Sequence, residues 1–427
     1  MIIERVLTNT IMSKWFGCCT SRESGGPTKA PAEGAVLEKK IMEYAGLSEG
    51  RDFKIYDVML PKTGGHIHTI EAGWGNQQVA VLVHGYGATG AFYYKMIAKL
   101  KKEFHVYAID MFGFGQSSRP KIKSYDFEKC CQFFVDPIEE WRISLQINDF
   151  VLVAHSLGAY IMTQYVRIKR PPIKMLYLVS PAGMTLKSVE EIKDRMAQYV
   201  SGFKMLTLKL SFFLMEDLKV SPFHLMFVNK QKALENYFRN ERMGMSDDEA
   251  LLFVEYYKAV LDLPACGETA LGTFLFYGCY SQRPLYETLQ KLRDDICDVR
   301  IFYGDADWMD FEHAIEKNRS RRMQFDLQIV PNAGHQIILQ NPAFLCRVMS
   351  NDLNNNYDPV VYFETHSAEV LPPELVKYIS RHAADLTMMR EEEERRAKDR
   401  LLQLDRQKEQ RNSALVGKKD LLLADPT

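Results

Sequence analysis

Short runs that are apolar at nearly every position, each closed by a turn residue, recur through the middle of the chain. They lie at 79–83, 104–110, 150–154, 175–179, 299–303 and 327–330. Strict alternation of apolar and polar residues would mark strands with one wet face. Unbroken apolar runs are what strands buried on both faces need. Helical patterns such as 159–167 separate the runs, which implies right-handed crossovers between parallel strands. The expected architecture is therefore α/β: a mostly parallel central sheet with helices on both faces. The helix before the third run is predicted to start with Asp136 as N-cap, Pro137 at its first position and Glu139 completing a capping box.

The rhythm fails in three places. Residues 184–290 carry helical patterns rich in Leu, Met and Phe, for example 205–215 and 222–228, and read as a helical lid inserted into the sheet domain. Residues 1–52 read as a flexible N-terminal extension containing a Ser/Gly/Pro/Ala-rich stretch, with a short helical pattern from Leu37 to Ala45. Residues 351–427 read as a linker and a charged helical extension, a solvated helix or one that binds a protein partner. The α/β domain itself is assigned to 53–350.

Composition narrows the classes. The chain has 427 residues, 46% hydrophobic and 26% charged, which suits a folded globular protein rather than a disordered or fibrous one. Its 54 basic and 55 acidic residues nearly cancel, so no overall field favours nucleic acid. Eight cysteines are too few for a disulfide scaffold, and no signal-peptide pattern is read. Free thiols in a cytoplasmic setting are the expectation. No apolar run reaches the length of a membrane span.

The strongest chemical signal is Ala154-His155-Ser156-Leu157-Gly158, between an apolar strand and a helical pattern. A strand–turn–helix of small residues around a serine is the setting of a nucleophile elbow. Ser156 is the candidate nucleophile. His84-Gly85-Tyr86-Gly87-Ala88 follows the first buried run and offers backbone N–H groups for a developing oxyanion; Tyr86 and Leu157 are the candidate donors. Gly304-Asp305-Ala306-Asp307-Trp308-Met309-Asp310 supplies three candidate acids. Asp307 is preferred over Asp305 and Asp310 for its Gly-x-x-Asp spacing and its aromatic neighbour. His335, in Asn332-Ala333-Gly334-His335 after the last strand, is the candidate proton shuttle. The order Ser156, Asp307, His335 is that of the α/β-hydrolase fold.

Other signals point elsewhere or nowhere. His66 and His68 share a strand face without a further ligand cluster, and Gly113-Phe114-Gly115 reads as a structural turn rather than a phosphate loop. No metal or cofactor is expected. Trp15 and Phe16 suit a membrane interface, and Cys18 and Cys19 are candidates for S-acylation, which implies reversible attachment to a membrane.

Phe134-Val135-Asp136-Pro137-Ile138-Glu139-Glu140-Trp141-Arg142 leading into the Ser156 elbow, together with the segments at 84–88 and 303–310, resembles the alpha/beta-hydrolase domain-containing protein 4 and 5 subfamily. The resemblance covers roughly residues 53–350. It implies hydrolysis or acyl transfer on phospholipid-like esters and amides, and association with membranes or lipid droplets. One branch of the subfamily has Asn in place of the nucleophile and acts as a lipase coactivator; Ser156 places this chain with the catalytic branch. The family's His-x4-Asp pattern, tied to acyl transfer, would need Asp at 340, where this chain has Gln340. The expected function is hydrolysis of lipid acyl esters by a serine hydrolase of phospholipase or lysophospholipase type. The alternative is a catalytically weak lipid-binding scaffold or lipase coactivator.

Overall fold

In the computed structural model, eight strands form one sheet in the order β1-β2-β4-β3-β5-β6-β7-β8. The residues described are 32–185, 230–239, 243–275, 279–281, 283–295, 297–309, 311, 314–315 and 325–354. The strands are β1 (Phe53–Met59), β2 (His66–Ala72), β3 (Gln78–Val83), β4 (Phe104–Ile109), β5 (Phe150–His155), β6 (Ile173–Val179), β7 (Asp298–Gly304) and β8 (Asp326–Val330). β2 pairs antiparallel with β1 and β4; all other neighbours are parallel. Each of the six apolar runs is one of the parallel strands.

The two faces of the sheet explain those runs. On β3, Val81 and Val83 face one apolar cluster while Ala80 and Leu82 face the other. On β5, Phe150, Leu152 and Ala154 share the first cluster and Val151 and Val153 the second. A strand clothed on both sides cannot alternate with polar residues without burying them unpaired.

Helices cover the sheet: α1 (Ala32–Tyr44), α2 (Tyr94–Leu100), α3 (Phe127–Ser144), α4 (Leu157–Lys169), α5 (Lys230–Phe238), α6 (Asp247–Leu261), α7 (Leu285–Asp295) and α8 (Pro342–Leu353), with shorter turns between them. The predicted start of α3 is corrected. Its N-cap is Asp126, whose carboxylate accepts the Lys129 N–H at 3.1 Å, and Pro137 lies inside the helix. The buried row Cys130, Cys131, Phe134, Val135, Ile138 and Trp141 carries the helix through the proline. Asp136 instead pairs with Lys169 at 2.6 Å.

The N-terminal extension is corrected from Ala32 onward. α1 is docked, not flexible: Ile41 and Met42 are buried in the core. Its Glu38 carboxylate is fully buried against His68 Nε2 at 2.6 Å and accepts the Gln116 side-chain amide at 2.8 Å. His68 Nδ1 meets Asp57 at 2.7 Å, so the imidazole lies between two carboxylates. Burial opposes its positive charge, but Glu38 and Asp57 raise its pKa well above the ordinary histidine value. His68 thus anchors α1 on the sheet, while His66 bonds the Gln116 carbonyl at 2.9 Å and the Ser118 hydroxyl at 3.0 Å.

Within the predicted lid, α5 and α6 are also core elements. Leu234, Phe238, Phe253, Tyr256 and Tyr257 are buried in one aromatic cluster with Phe92. Ser246 and Glu249 cap α6 reciprocally. The segments at 205–215 and 222–228, Cys18 and Cys19, and the charged C-terminal zone lie outside the described residues. No helix among the described residues is long and apolar enough to cross a membrane.

Candidate active site

β5 ends at a sharp turn. Ser156 sits there at φ 54°, ψ −119°, a conformation that side chains rarely adopt. Two glycines make the turn sterically possible. A Cβ on Gly158 would stand 2.1 Å from the His84 carbonyl oxygen, and one on Gly85 would stand 2.8 Å from Ser156 Cβ. Ser156 N–H donates to Val179 C=O at 2.9 Å, which ties the elbow to β6. Leu157 opens α4, so its N–H belongs to the first helical turn, where no intrahelical acceptor exists.

The three residues singled out from separate strands converge here. His335 Nε2 is 3.0 Å from Ser156 Oγ. His335 Nδ1 is 3.2 Å from Asp307 Oδ1 and 3.4 Å from Oδ2. With Nδ1–H on the carboxylate, Nε2 presents its lone pair to the serine hydroxyl, the tautomer a general base requires. The Asp307 side chain is fully buried and also accepts the Met309 N–H at 3.0 Å. Burial alone would raise its pKa; His335 and the hydrogen bonds outweigh it and hold the carboxyl below its ordinary value. Trp308 is half exposed and lies against the His335 ring, with ring centroids 5.1 Å apart.

Asp305 is in the same loop and does something else. Its two oxygens accept the N–H groups of Asn332 and Ala333 at 2.9 and 3.0 Å. Both lone-pair faces are spent on the backbone that carries His335. Asp310 lies outside the described residues. Two further side chains grip the same loop. Gln340 Oε1 accepts the Gly334 N–H at 2.7 Å. His155 donates from Nε2 to the His335 carbonyl at 2.8 Å, its ring 4.9 Å from that of His335. Position 340, where the family pattern has Asp, is thus filled by a neutral group that serves the histidine loop.

The candidate oxyanion loop, residues 84–88, has its own supports. Met111 N–H donates to His84 Nε2 at 3.0 Å, so the proton of that ring is on Nδ1, which donates to Gly85 C=O at 2.7 Å. In a trans peptide unit C=O and N–H are antiparallel. Holding the Gly85 oxygen therefore orients the Tyr86 N–H the other way, and polarises it. Asp110 accepts the Gly90 N–H at 2.6 Å and the Gln116 N–H at 2.7 Å. Gly113-Phe114-Gly115 is the turn that folds back onto this carboxylate; a Cβ on Gly115 would stand 2.0 Å from Asp110 Oδ2.

Sequence reasoning did not assign roles to His84, His155 or Gln340. The signal was there for the two histidines, since each sits beside a residue already singled out; nothing local marks Gln340. Both histidines are buried and neutral. Burial, reinforced by His335, lowers His155 to about 3; burial, reinforced by Arg119, lowers His84 to about 4.

An acid-stability prediction follows from these two. Between the ordinary histidine value and these lowered values the unfolded chain binds a proton that the folded chain refuses. Stability from each is present above about pH 6.5 and is lost as pH falls, at about 1.4 kcal/mol per pH unit. Asp110, raised to about 6 mainly by burial, takes up a proton in the folded state over the same range and offsets one of the two. Urea unfolding from pH 7 to 4.5 should show the His155→Gln variant with a pH slope lower by about one proton than that of the native protein. Identical slopes would contradict a neutral buried His155.

The alpha/beta hydrolase fold family model matches residues 79–342, more than half of the chain. Among curated proteins, the chain is similar to 1-acylglycerol-3-phosphate O-acyltransferase of Arabidopsis thaliana: 29% identity over 272 residues, 61% of this chain and 63% of that protein. It is 28% identical over 272 residues to human 1-acylglycerol-3-phosphate O-acyltransferase ABHD5, covering 62% of this chain and 75% of that one. It is also 28% identical over 266 residues to bovine (Lyso)-N-acylphosphatidylethanolamine lipase, covering 61% and 75%. The chain spans under two thirds of the length of the Arabidopsis relative. Among solved structures, carboxylesterase CesB (YbfK) from Bacillus subtilis superposes with a TM-score of 0.52 at 16% identity, covering 76% of this chain and 99% of that one, a likeness of fold. The chain belongs to the α/β-hydrolase family, in the alpha/beta-hydrolase domain-containing protein 4 and 5 subfamily.

Proposed function

We propose that the chain is a serine hydrolase that cleaves acyl esters of lipids, of phospholipase or lysophospholipase type. Ser156 Oγ attacks the acyl carbonyl as its proton passes to His335 Nε2. The carbonyl oxygen takes up negative charge facing the N–H groups of Leu157 and Tyr86. The tetrahedral adduct collapses, His335 returns the proton to the departing alkoxide, and an acyl-serine remains. Water, deprotonated by His335, then attacks that ester and releases the fatty acid and free Ser156. Asp307 holds the imidazole in its working tautomer and balances its charge throughout.

The observation that supports this most is the run of hydrogen-bond distances from Ser156 Oγ through His335 to the buried Asp307. Competing nucleophiles are poorer: burial pushes the thiols of Cys131, Cys266, Cys279, Cys297 and Cys346 up to about 12, so they stay protonated. The lipid class is suggested by the names of three relatives, two of them 1-acylglycerol-3-phosphate O-acyltransferases and one a (Lyso)-N-acylphosphatidylethanolamine lipase. Those names also favour a second reading, in which the hydroxyl of a lysophospholipid replaces water as acceptor of the acyl group. Association with a membrane or lipid-droplet surface belongs to either proposal.

The test compares native protein and Ser156→Ala on vesicles of phosphatidylcholine, lysophospholipid and N-acylphosphatidylethanolamine, with and without acyl-CoA and 1-acylglycerol-3-phosphate. Ser156-dependent release of free fatty acid is expected. Incorporation of acyl groups into the added lysophospholipid in excess of release would make the chain a transferase. Lipid binding without turnover of any substrate would favour the scaffold or coactivator reading.

A further inference from the structure

We propose that Tyr257, in the inserted helix α6, is a positioning residue for the oxyanion loop. The inference rests on the reading of Ser156 as nucleophile with the Tyr86 N–H as an oxyanion donor, and adds a residue that neither the elbow nor the family motifs contain. The Tyr257 hydroxyl donates to the Gly87 carbonyl at 2.7 Å, with the residue buried.

The geometry of the loop gives that bond its leverage. Residues 85–88 form a turn closed by the Ala88 N–H on Gly85 C=O at 3.3 Å, with Tyr86 and Gly87 at its corners. Gly87 has φ +64°, so it supplies the left-handed corner. A glycine there has no Cβ to limit it and would let the turn swing. Two peptide planes must be fixed to aim the Tyr86 N–H. His84 holds the one before Tyr86 by its carbonyl. Tyr257 holds the one after Gly87 in the same way and so removes the freedom that the glycine brings.

Tyr257 is itself immobilised. Its ring lies 5.8 Å from Phe92, 4.9 Å from Phe238 and 5.7 Å from Tyr256, edge-on to each. Beside it, the Tyr256 hydroxyl reaches Thr89 Oγ1 at 3.3 Å and Glu38 at 3.4 Å, so the far end of the loop is tied to α1. The oxyanion loop is therefore braced by two elements from outside the strand–helix framework, the insert and the N-terminal helix. An insert that reads as a cover supplies, in α6, an arm of the site.

The experiment uses the full chain, with turnover of a p-nitrophenyl ester expressed per Ser156 site titrated by a fluorophosphonate. Tyr257→Phe is expected to lower kcat per site about 10-fold, less than the roughly 100-fold typical of deleting an oxyanion donor, and to leave KM within about twofold. Inhibition by a trifluoromethyl ketone, whose hemiketal places an anion at the same donors, should weaken by the same factor. A purely structural defect would lower the number of titratable sites and leave the rate per site and the ketone affinity unchanged; that result overturns the proposal. If Phe at 257 prevents folding, 3,5-difluorotyrosine at 257, a stronger donor of nearly the same size, should tighten ketone inhibition at constant KM. Unchanged inhibition with that variant overturns the proposal equally. Failure of the underlying reading looks different: native protein that is not labelled by the fluorophosphonate, or Ser156→Ala that still is.

Discussion

Ser156→Ala should abolish covalent labelling by a fluorophosphonate probe and lower ester turnover by at least three to four orders of magnitude. The size follows from the way such groups act as a unit: without the oxygen nucleophile, His335 and Asp307 have nothing to activate, and only binding and the oxyanion donors remain. Stability should hardly move. The Ser156 Oγ hydrogen bond to His335 Nε2 is worth about 1 kcal/mol at most. The backbone strain at φ 54° stays, because alanine suffers it as serine does. Loss of activity with an unchanged urea midpoint is therefore the specific outcome. Labelling retained in Ser156→Ala would place the nucleophile elsewhere and dismantle the assignment of all three groups.

The parallel core and the Ser156 elbow were legible in the sequence for one reason: both are local. A strand buried on both faces leaves an unbroken apolar run, and a turn this tight leaves small residues at its flanks, here Ala154 and Gly158 around Ser156. Long-range pairing is less legible. Asp307 and Asp305 are two residues apart with the same carboxylate. Only the fold shows that one faces an imidazole and the other two backbone amides. The helix α3 misleads by its proline: Asp136-Pro137 has the chemistry of a helix start, yet burial of one face carries the helix through it from Asp126. α1 misleads in the opposite direction. Its polar Glu38 gives no hint of burial until His68 and Gln116, far along the chain, are placed beside it. Likewise, nothing local marks Tyr256 and Tyr257, whose hydroxyl partners Thr89 and Gly87 come from a loop some 170 residues earlier.

The two aspartates of the β7 loop offer the second large effect, and it separates them. Asp307→Asn keeps the shape but removes the charge, and its NH2 takes the place of one of the two oxygens that lie 3.2 and 3.4 Å from His335 Nδ1. An imidazole that accepts from that NH2 carries its proton on Nε2, where it can no longer take one from Ser156. A loss of about 10⁴ in kcat is expected, with substrate binding little changed. The native carboxyl is held below its ordinary value, so its stabilising effect is present above about pH 4 and fades as pH falls toward the lowered value. Asparagine should remove that acid dependence. Asp305→Asn acts on the backbone instead: one oxygen becomes a donor facing the N–H of Asn332 or Ala333, which leaves that N–H without its acceptor, at a cost of about 1–3 kcal/mol where it is the buried Ala333 N–H. Its kcat should fall by only about tenfold, as the His335 loop loosens, while the unfolding midpoint drops. Steady-state kinetics and urea unfolding on the two variants therefore give opposite signatures. A catalytic collapse in Asp305→Asn with near-native turnover in Asp307→Asn would exchange their roles.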